Sequence, residues 1–203
     1  MPATLALGHA YASIGDHDQA IGAYSNIVKR LDDGCIPAHL SIGGEYLRVR
    51  KPALAAPSVH AALSIDKNDP FALNELGVLL YLRREWEPAC QAFRKAHKLL
   101  RESTYGPFID KSLRENLYMA SLRTAFETRD LTQIRAVLSK AKGSVPIVVK
   151  ELQFLLRQSA RLQSNDDDCE NVAPLLLEAA KIGDRKRSLR VMDRILANSP
   201  LQK

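Results

Sequence analysis

The chain has 203 residues, enough for one large or two small domains, and its 46% hydrophobic share is ordinary for a chain with a real core. Aromatic residues make up only 6%, which disfavours a β-sandwich or barrel and favours helices. The net charge of +6 is spread along the chain, whereas a nucleic-acid-binding protein usually concentrates its basic residues.

The cysteines and the N-terminal residues indicate in which cellular compartment the protein is expected. The three cysteines are far apart and form no C-x-x-C pair, which predicts free thiols in a reducing environment. Residues 1–5 lack the basic start of a secretory signal, and the longest apolar stretch, 76–82, is far too short to span a membrane. The sequence therefore predicts a cytoplasmic or nuclear chain.

A repeat of 34 to 35 residues organises the first half, because Gly8, Gly43 and Gly77 recur at spacings of 35 and 34. Twelve residues after each glycine comes an alanine, and four further on a bulky apolar residue. Glycine inside a helix costs about 0.5–1 kcal/mol relative to alanine, so its recurrence predicts that a second helix lies close against the first. The predicted packing residues are Gly8, Ala20, Tyr24, Gly43, Ala55, Gly77, Ala89 and Phe93.

Each repeat predicts a helical hairpin. The repeats cover residues 1–34, 36–69 and 70–101. Turn-forming residues divide each repeat into two amphipathic stretches of helical length. In chain order, the predicted helices are 2–14, 18–31, 37–49, 53–65, 71–83 and 87–100.

The residues of this repeat resemble a known family. Leu7-Gly8-x-x-Tyr11 and Leu76-Gly77, each followed by a helix with alanine and an aromatic residue, resemble the tetratricopeptide repeat, whose period is also 34 residues. The resemblance implies an all-α, right-handed superhelical solenoid, with three clear repeats in 1–101 followed by degenerate hairpins.

A closer resemblance lies in three strings: Ala-Tyr-Ser at 23–25, Glu-Tyr-Leu-Arg at 45–48 and Asn-Glu-Leu-Gly-Val at 74–78. They resemble the repeats of the cell-division-cycle-sixteen-type subunits of the anaphase-promoting complex. This resemblance implies a scaffold subunit of a ubiquitin ligase in cell-cycle control and cell division, with no chemistry of its own. It also implies a homodimer and small partner subunits in the superhelical groove. The expected partners are thus other protein subunits or peptides, and neither nucleic acid nor a membrane.

The first helices of successive hairpins are expected to line the concave groove, with residues near each packing glycine pointing into it. The alternative is a co-chaperone adaptor that binds peptide tails, although Arg48 and Asn74 supply only part of the cluster that such domains use to hold a carboxylate. The predicted groove residues are Leu5, His9, Ala12, Leu40, Gly44, Leu47, Arg48, Asn74, Val78 and Tyr81.

Beyond residue 101 the repeat is weaker. A loop is predicted at 102–109, followed by a helical region, 110–203, that contains degenerate hairpins at 110–143 and 171–198. An acidic linker at 164–168 separates the hairpins, and its aspartates lack the spacing of a calcium loop. No polar cap precedes Leu5, which predicts a fragment of a longer protein or a dimerising end.

No catalytic, cofactor or metal residues are predicted. The chain lacks G-x-S-x-G, Walker, G-x-G-x-x-G and H-E-x-x-H motifs, and its histidines and cysteines never fall at metal-ligand spacing. Two further alternatives stay open: an active site in the divergent second half, and an RNA-binding solenoid. The basic stretch at 181–194 is more typical of a solvated helix face than of a nucleic-acid site.

Overall fold

The computed structural model describes residues 2–103 and 106–128, together with residues 133, 136, 137 and 140. The chain divides into two compact units, Met1–Leu117 and Tyr118–Lys203. The described residues form seven α-helices and no β-strand, and none of these helices is long and apolar enough to cross a bilayer. The predicted acidic linker, the hairpin at 171–198 and the basic stretch at 181–194 lie outside the described residues.

The first unit contains three helical hairpins, as predicted. The two helices of each hairpin pack on each other, and the first helix of a hairpin packs on the second helix of the preceding one. Every boundary agrees with the predicted one to within two residues. The helices are α1 (Pro2–Ser13), α2 (His17–Arg30), α3 (Ile36–Arg48), α4 (Pro52–Ile65), α5 (Pro70–Leu82) and α6 (Trp86–Glu102).

The recurring glycines lie where a large side chain of the second helix presses against the first. A Cβ added at Gly8 would overlap the ring of Tyr24, and one added at Gly77 would overlap the ring of Phe93. Both rings are 1% exposed, so they have little space into which to retreat. The missing side chain therefore sets the close approach of the two helices.

The alanines of the repeat connect neighbouring hairpins through the core. Ala20 is fully buried and clusters with Tyr24 and with Ile42 of the following hairpin. Ala55 is also fully buried, in a cluster that includes Leu79 of the third hairpin. The core thus runs from one hairpin to the next, as in proteins whose repeats stabilise their neighbours.

The same turn closes every hairpin. Gly15, Arg50 and Arg84 occupy equivalent positions and have φ angles of +79°, +57° and +66°. The residue after each donates its N–H to a carbonyl five residues earlier, and the distance from Glu85 N to Leu80 O is 2.9 Å. This is the Schellman arrangement, which caps the carbonyls at the end of a helix. The second and third hairpins therefore keep the turn conformation of the first, although arginine stands at the position of Gly15.

The loop predicted at 102–109 was too long. Helix α6 continues to Glu102, and a further helix, α7 (Gly106–Glu127), begins at Gly106. The Gly106-Pro107 pair suggested a loop, but proline is compatible with the first turn of a helix, where its missing N–H has no intrahelical acceptor. Ser103 ends α6, and its hydroxyl donates to the carbonyl of Leu100 at 2.8 Å.

The described part of the second unit consists of residues 118–128 together with residues 133, 136, 137 and 140. Leu122 and Ala125 are fully buried, and both lie within the range of the predicted degenerate hairpin at 110–143. The hydroxyl of Tyr118 donates to the carbonyl of Lys140 at 3.1 Å. That residues 110–143 form a complete hairpin stays a prediction.

Candidate functional site

A cavity of about 920 Å³ opens among the first helices of the three hairpins. Helices α1, α3 and α5 supply most of its wall, and Tyr24 of α2 closes one side. Its volume is within the range of ligand-binding pockets. The lining residues are His9, Ala12, Ser13, Tyr24, Ile36, Pro37, Leu40, Ser41, Gly44, Glu45, Arg48, Asp69, Phe71 and Glu75.

Five of the ten predicted groove residues line this cavity: His9, Ala12, Leu40, Gly44 and Arg48. They come from α1 and α3. None of the groove residues predicted on α5 lines the cavity. The part of the wall that α5 contributes comes instead from its N-cap, Asp69, and from Phe71 and Glu75, at the beginning and in the middle of that helix.

Leu47 does not belong to the groove. It is only 6% exposed and clusters with Ala55 and Leu79 in the core. Its position explains the error: Leu47 lies one helical turn after Gly43 and so shares the face that packs against α4. The cavity-facing stripe is rotated from that face, and Gly44 and Arg48 lie on it.

The other four predicted groove residues also make internal contacts. Leu5 and Val78 pack against core clusters. The Tyr81 ring meets Trp86 edge to face, with ring centroids 4.9 Å apart. Asn74 accepts a hydrogen bond from the Asn116 side chain at 3.1 Å.

Several polar lining residues were not predicted from the sequence. Ser41 and Glu75 both stand two residues before a packing glycine, so the repeat register could have placed them together on the cavity side. The burial of Glu45 could not be predicted from the repeat pattern, because charged residues are seldom fully buried. Tyr24 was assigned to packing alone, yet its ring also lines the cavity.

Tyr24 and His9 form a polar contact in the cavity wall. The Tyr24 hydroxyl lies 2.7 Å from Nδ1 of His9. Burial raises the pKa of the Tyr24 phenol, and the nearby Glu45 carboxylate raises that pKa further, against opposing effects of the Ser41 hydroxyl and the Arg48 charge. The phenol therefore keeps its proton at neutral pH and can donate it to Nδ1.

Glu45 is a buried carboxylate held by two partners. It is 1% exposed, and its Oε2 lies 2.6 Å from Nδ1 of His17. Its other oxygen accepts a hydrogen bond from the Arg48 guanidinium. A buried carboxylate needs such partners, because unpaired charge is costly away from water. The contact also fixes Arg48, whose side chain is 64% exposed, at the cavity wall.

Glu75 brings a second carboxylate to the same wall. Its Oε2 would lie 4.0 Å from a Cβ added at Gly44, so the two residues face each other across α3 and α5. Burial raises the pKa of Glu75, and the Arg48 charge and a hydrogen bond with Asn74 offset this rise only in part. With Asp69, the lining has three carboxylates against one guanidinium.

The raised pKa of Glu75 gives a prediction for stability against pH. Between the unfolded pKa of glutamate, about 4.3, and the higher folded pKa, the folded chain binds more protons than the unfolded chain, so this residue makes stability fall as pH rises. Glu75→Gln should therefore be more stable than the wild type at pH 7, and the difference should shrink as pH falls to about 4. Urea unfolding of both chains across this range measures it. A constant difference at every pH would contradict the assignment.

Stacked two-helix repeats with this period and these glycine–aromatic contacts define a tetratricopeptide-repeat solenoid, so the predicted fold class is confirmed. In sequence, the chain is similar to the cell-division-cycle-sixteen-type subunits of the anaphase-promoting complex, as predicted. It is 39% identical over 95 residues to the human Cell division cycle protein 16 homolog, covering 47% of this chain and 15% of that protein. It is 31% identical over 168 residues to Anaphase-promoting complex subunit 6 of Arabidopsis thaliana, covering 81% of this chain and 29% of that protein.

Solved structures show the same fold. The crystal structure of the anaphase-promoting complex hetero-tetramer Cut9–Hcn1 matches 90% of this chain and 33% of its own, with a TM-score of 0.63 and 21% identity. YrrB, a tetratricopeptide-repeat protein with an unusual peptide-binding site, matches 94% of this chain and 90% of its own, with a TM-score of 0.60 and 16% identity. No protein-family model matches the chain. The chain spans less than a third of the length of these sequence relatives.

Proposed function

We propose that this chain is a non-catalytic scaffold subunit of a ubiquitin ligase of the anaphase-promoting type, and that it holds a partner peptide or subunit in the cavity. The cavity among α1, α3 and α5 carries the proposal, because it places a large open site on the helices that tetratricopeptide domains turn toward their partners. Similarity to the human and Arabidopsis subunits supports the ligase assignment. In the described residues no group of three or more His, Cys, Asp or Glu could hold a metal ion.

The cavity offers two kinds of contact to one occupant. Ile36, Leu40 and Phe71 supply an apolar part, and Phe71 is 40% exposed. Glu75 and Asp69 supply a negatively charged part. An extended or helical segment that pairs an apolar side chain with a hydrogen-bond donor or a positive charge would match both.

The charges disfavour the co-chaperone alternative. A carboxylate tail needs free cations, but the Arg48 guanidinium is already bonded to Glu45. The carboxylates of Glu75 and Asp69 in the cavity wall would repel the carboxylate of a bound peptide tail. If the chain did bind acidic tails, Arg48→Glu should abolish that binding.

A cross-linking experiment tests whether the cavity is the binding site. Hcn1 is a suitable probe, because it is assembled with Cut9, which is also similar to this chain in sequence, with 30% identity over 102 residues. A photoreactive phenylalanine analogue in place of Phe71, which lines the cavity, should cross-link to Hcn1 on illumination. The same analogue in place of Leu54, which is 52% exposed and lies outside the lining, is the matched control and should give little product. Equal yields at both positions, or product only at position 54, would contradict the proposal.

A further inference from the structure

Two neighbouring hairpin turns carry exposed basic residues. The turn between α3 and α4 contains Arg50 and Lys51, and the turn between α5 and α6 contains Arg83 and Arg84. All four residues are exposed. Helices α3 and α5 pack on each other, and the same type of turn ends both. The two turns therefore lie side by side at one edge of the stacked hairpins, and we call these four residues the basic edge.

Two of these arginines have a backbone conformation that favours glycine. Arg50 and Arg84 have φ angles of +57° and +66°, in the left-handed region. The first hairpin has Gly15 at the equivalent position, which is the usual residue at the end of a helix. A side chain makes this conformation less stable than it is for glycine, so both arginines cost folding stability. Replacing either by glycine should raise the melting temperature by about 2–4 °C.

Contacts within the described part of the chain do not offset this cost. No side chain of the basic edge forms an ion pair or a hydrogen bond with another described residue. Even Glu85, which directly follows Arg84, does not pair with it. Arg48 differs, because its guanidinium is bonded to Glu45. Non-glycine residues in the left-handed region often occur at functional sites, so the two arginines indicate a binding surface.

The charges and spacing of the basic edge match an acidic protein segment. A guanidinium group binds a carboxylate through two parallel hydrogen bonds. Packed helices lie about 8–10 Å apart, so the turns that end α3 and α5 are separated by roughly that distance. An extended chain advances about 3.3 Å per residue, so carboxylates three positions apart would reach both turns. Nucleic acid is a poorer match, because the net charge of +6 is spread along the chain.

We propose that the basic edge binds an acidic segment of a partner protein in extended conformation. Arg50 and Arg84 each hold one carboxylate, and Lys51 and Arg83 add to the positive potential around them. The four residues lie outside the lining of the cavity, so this surface serves a contact separate from the one proposed there. The left-handed arginines thus lower folding stability in favour of binding, as residues at functional sites often do.

Peptide binding to the full chain tests this proposal. The probe is a fluorescein-labelled peptide of repeated Glu-Ser-Gly, and its counterpart has glutamine in place of every glutamate. Fluorescence anisotropy at low salt should show that the glutamate peptide binds more tightly. The double variant Arg50→Gly/Arg84→Gly keeps the turns and removes two charges, so its Kd for the glutamate peptide should rise at least about tenfold. Its melting temperature should rise as well, which excludes unfolding as the cause of the loss.

Arg30→Gln/Arg101→Gln is the matched control. It also removes two exposed arginine charges, in the last turns of α2 and α6, at the opposite edge of the hairpins. This variant should bind the glutamate peptide like the wild type. An equal loss in both double variants would mean attraction by net charge alone and would overturn the proposal. Unchanged affinity of the glycine variant, or equal binding of the two peptides by the wild type, would overturn it too.

Two other occupants of the basic edge are distinguished by the same assay. A single-stranded oligonucleotide whose binding depends on Arg50 and Arg84 more strongly than peptide binding does would assign the edge to nucleic acid. Peptide binding that appears only after Asp166, Asp167 and Asp168 are changed to asparagine would assign it to the acidic stretch of this chain. Either result would overturn the proposal. The cavity is not involved in any of these outcomes.

Discussion

Gly77→Ala is expected to lower the free energy of unfolding by about 1–3 kcal/mol, the usual range for overpacking a core. The new Cβ would overlap the ring of Phe93, which is 1% exposed and cannot move away without disturbing its neighbours. The loss should exceed the gain of about 0.5–1 kcal/mol that alanine brings to a helix interior. Chemical denaturation followed by circular dichroism measures the difference.

Gly22→Ala is the matched control. Gly22 also lies inside a helix, but nothing stands within 4 Å of the position that its Cβ would take. This substitution should therefore stabilise the chain by about 0.5–1 kcal/mol. If both variants shifted stability in the same direction, the close approach of α5 and α6 would not be what keeps residue 77 a glycine.

Gly43 extends the comparison to the second hairpin. Its added Cβ would lie 3.0 Å from Cγ2 of Val59, a milder conflict than the overlap at Gly77. Gly43→Ala should therefore fall between the other two variants. The order follows the size of the facing side chain, since valine is smaller than phenylalanine.

The packing of the hairpins could be predicted from the sequence because it depends on a local, repeated signal. The spacing of Gly8, Gly43 and Gly77 gives the register, and the register places Tyr24 and Phe93 opposite their glycines. Helix boundaries followed from the same repeat. In contrast, the beginning of α7 was missed, because a Gly-Pro pair is compatible with both a loop and the first turn of a helix.

The cavity was only partly predictable, because its polar contacts join residues that are distant in sequence. His17 and Glu45 stand in different hairpins, and only the fold shows that they are 2.6 Å apart. The rotation of a helix about its own axis decides whether Leu47 faces the core or the groove, and an apolar residue fits either place. The repeat register alone therefore assigns the cavity-facing residues of a helix only to within about one position.

Gly44→Leu provides the most direct test of the binding cavity. Gly44 lies in the cavity wall, and an added Cβ would meet only the Glu75 carboxylate, at 4.0 Å, so a leucine would project into the cavity without disturbing the core. Gly22→Leu makes the same change at an open position outside the cavity.

Titration of labelled Hcn1 into each purified chain, followed by fluorescence anisotropy, measures the three affinities. We expect Gly44→Leu to raise Kd at least about tenfold, a loss of roughly 1.4 kcal/mol in binding free energy, and Gly22→Leu to bind like the wild type. Both leucine variants should keep the helical content of the wild type in circular dichroism. Binding by Gly44→Leu with unchanged affinity would contradict the assignment of the cavity as the partner site.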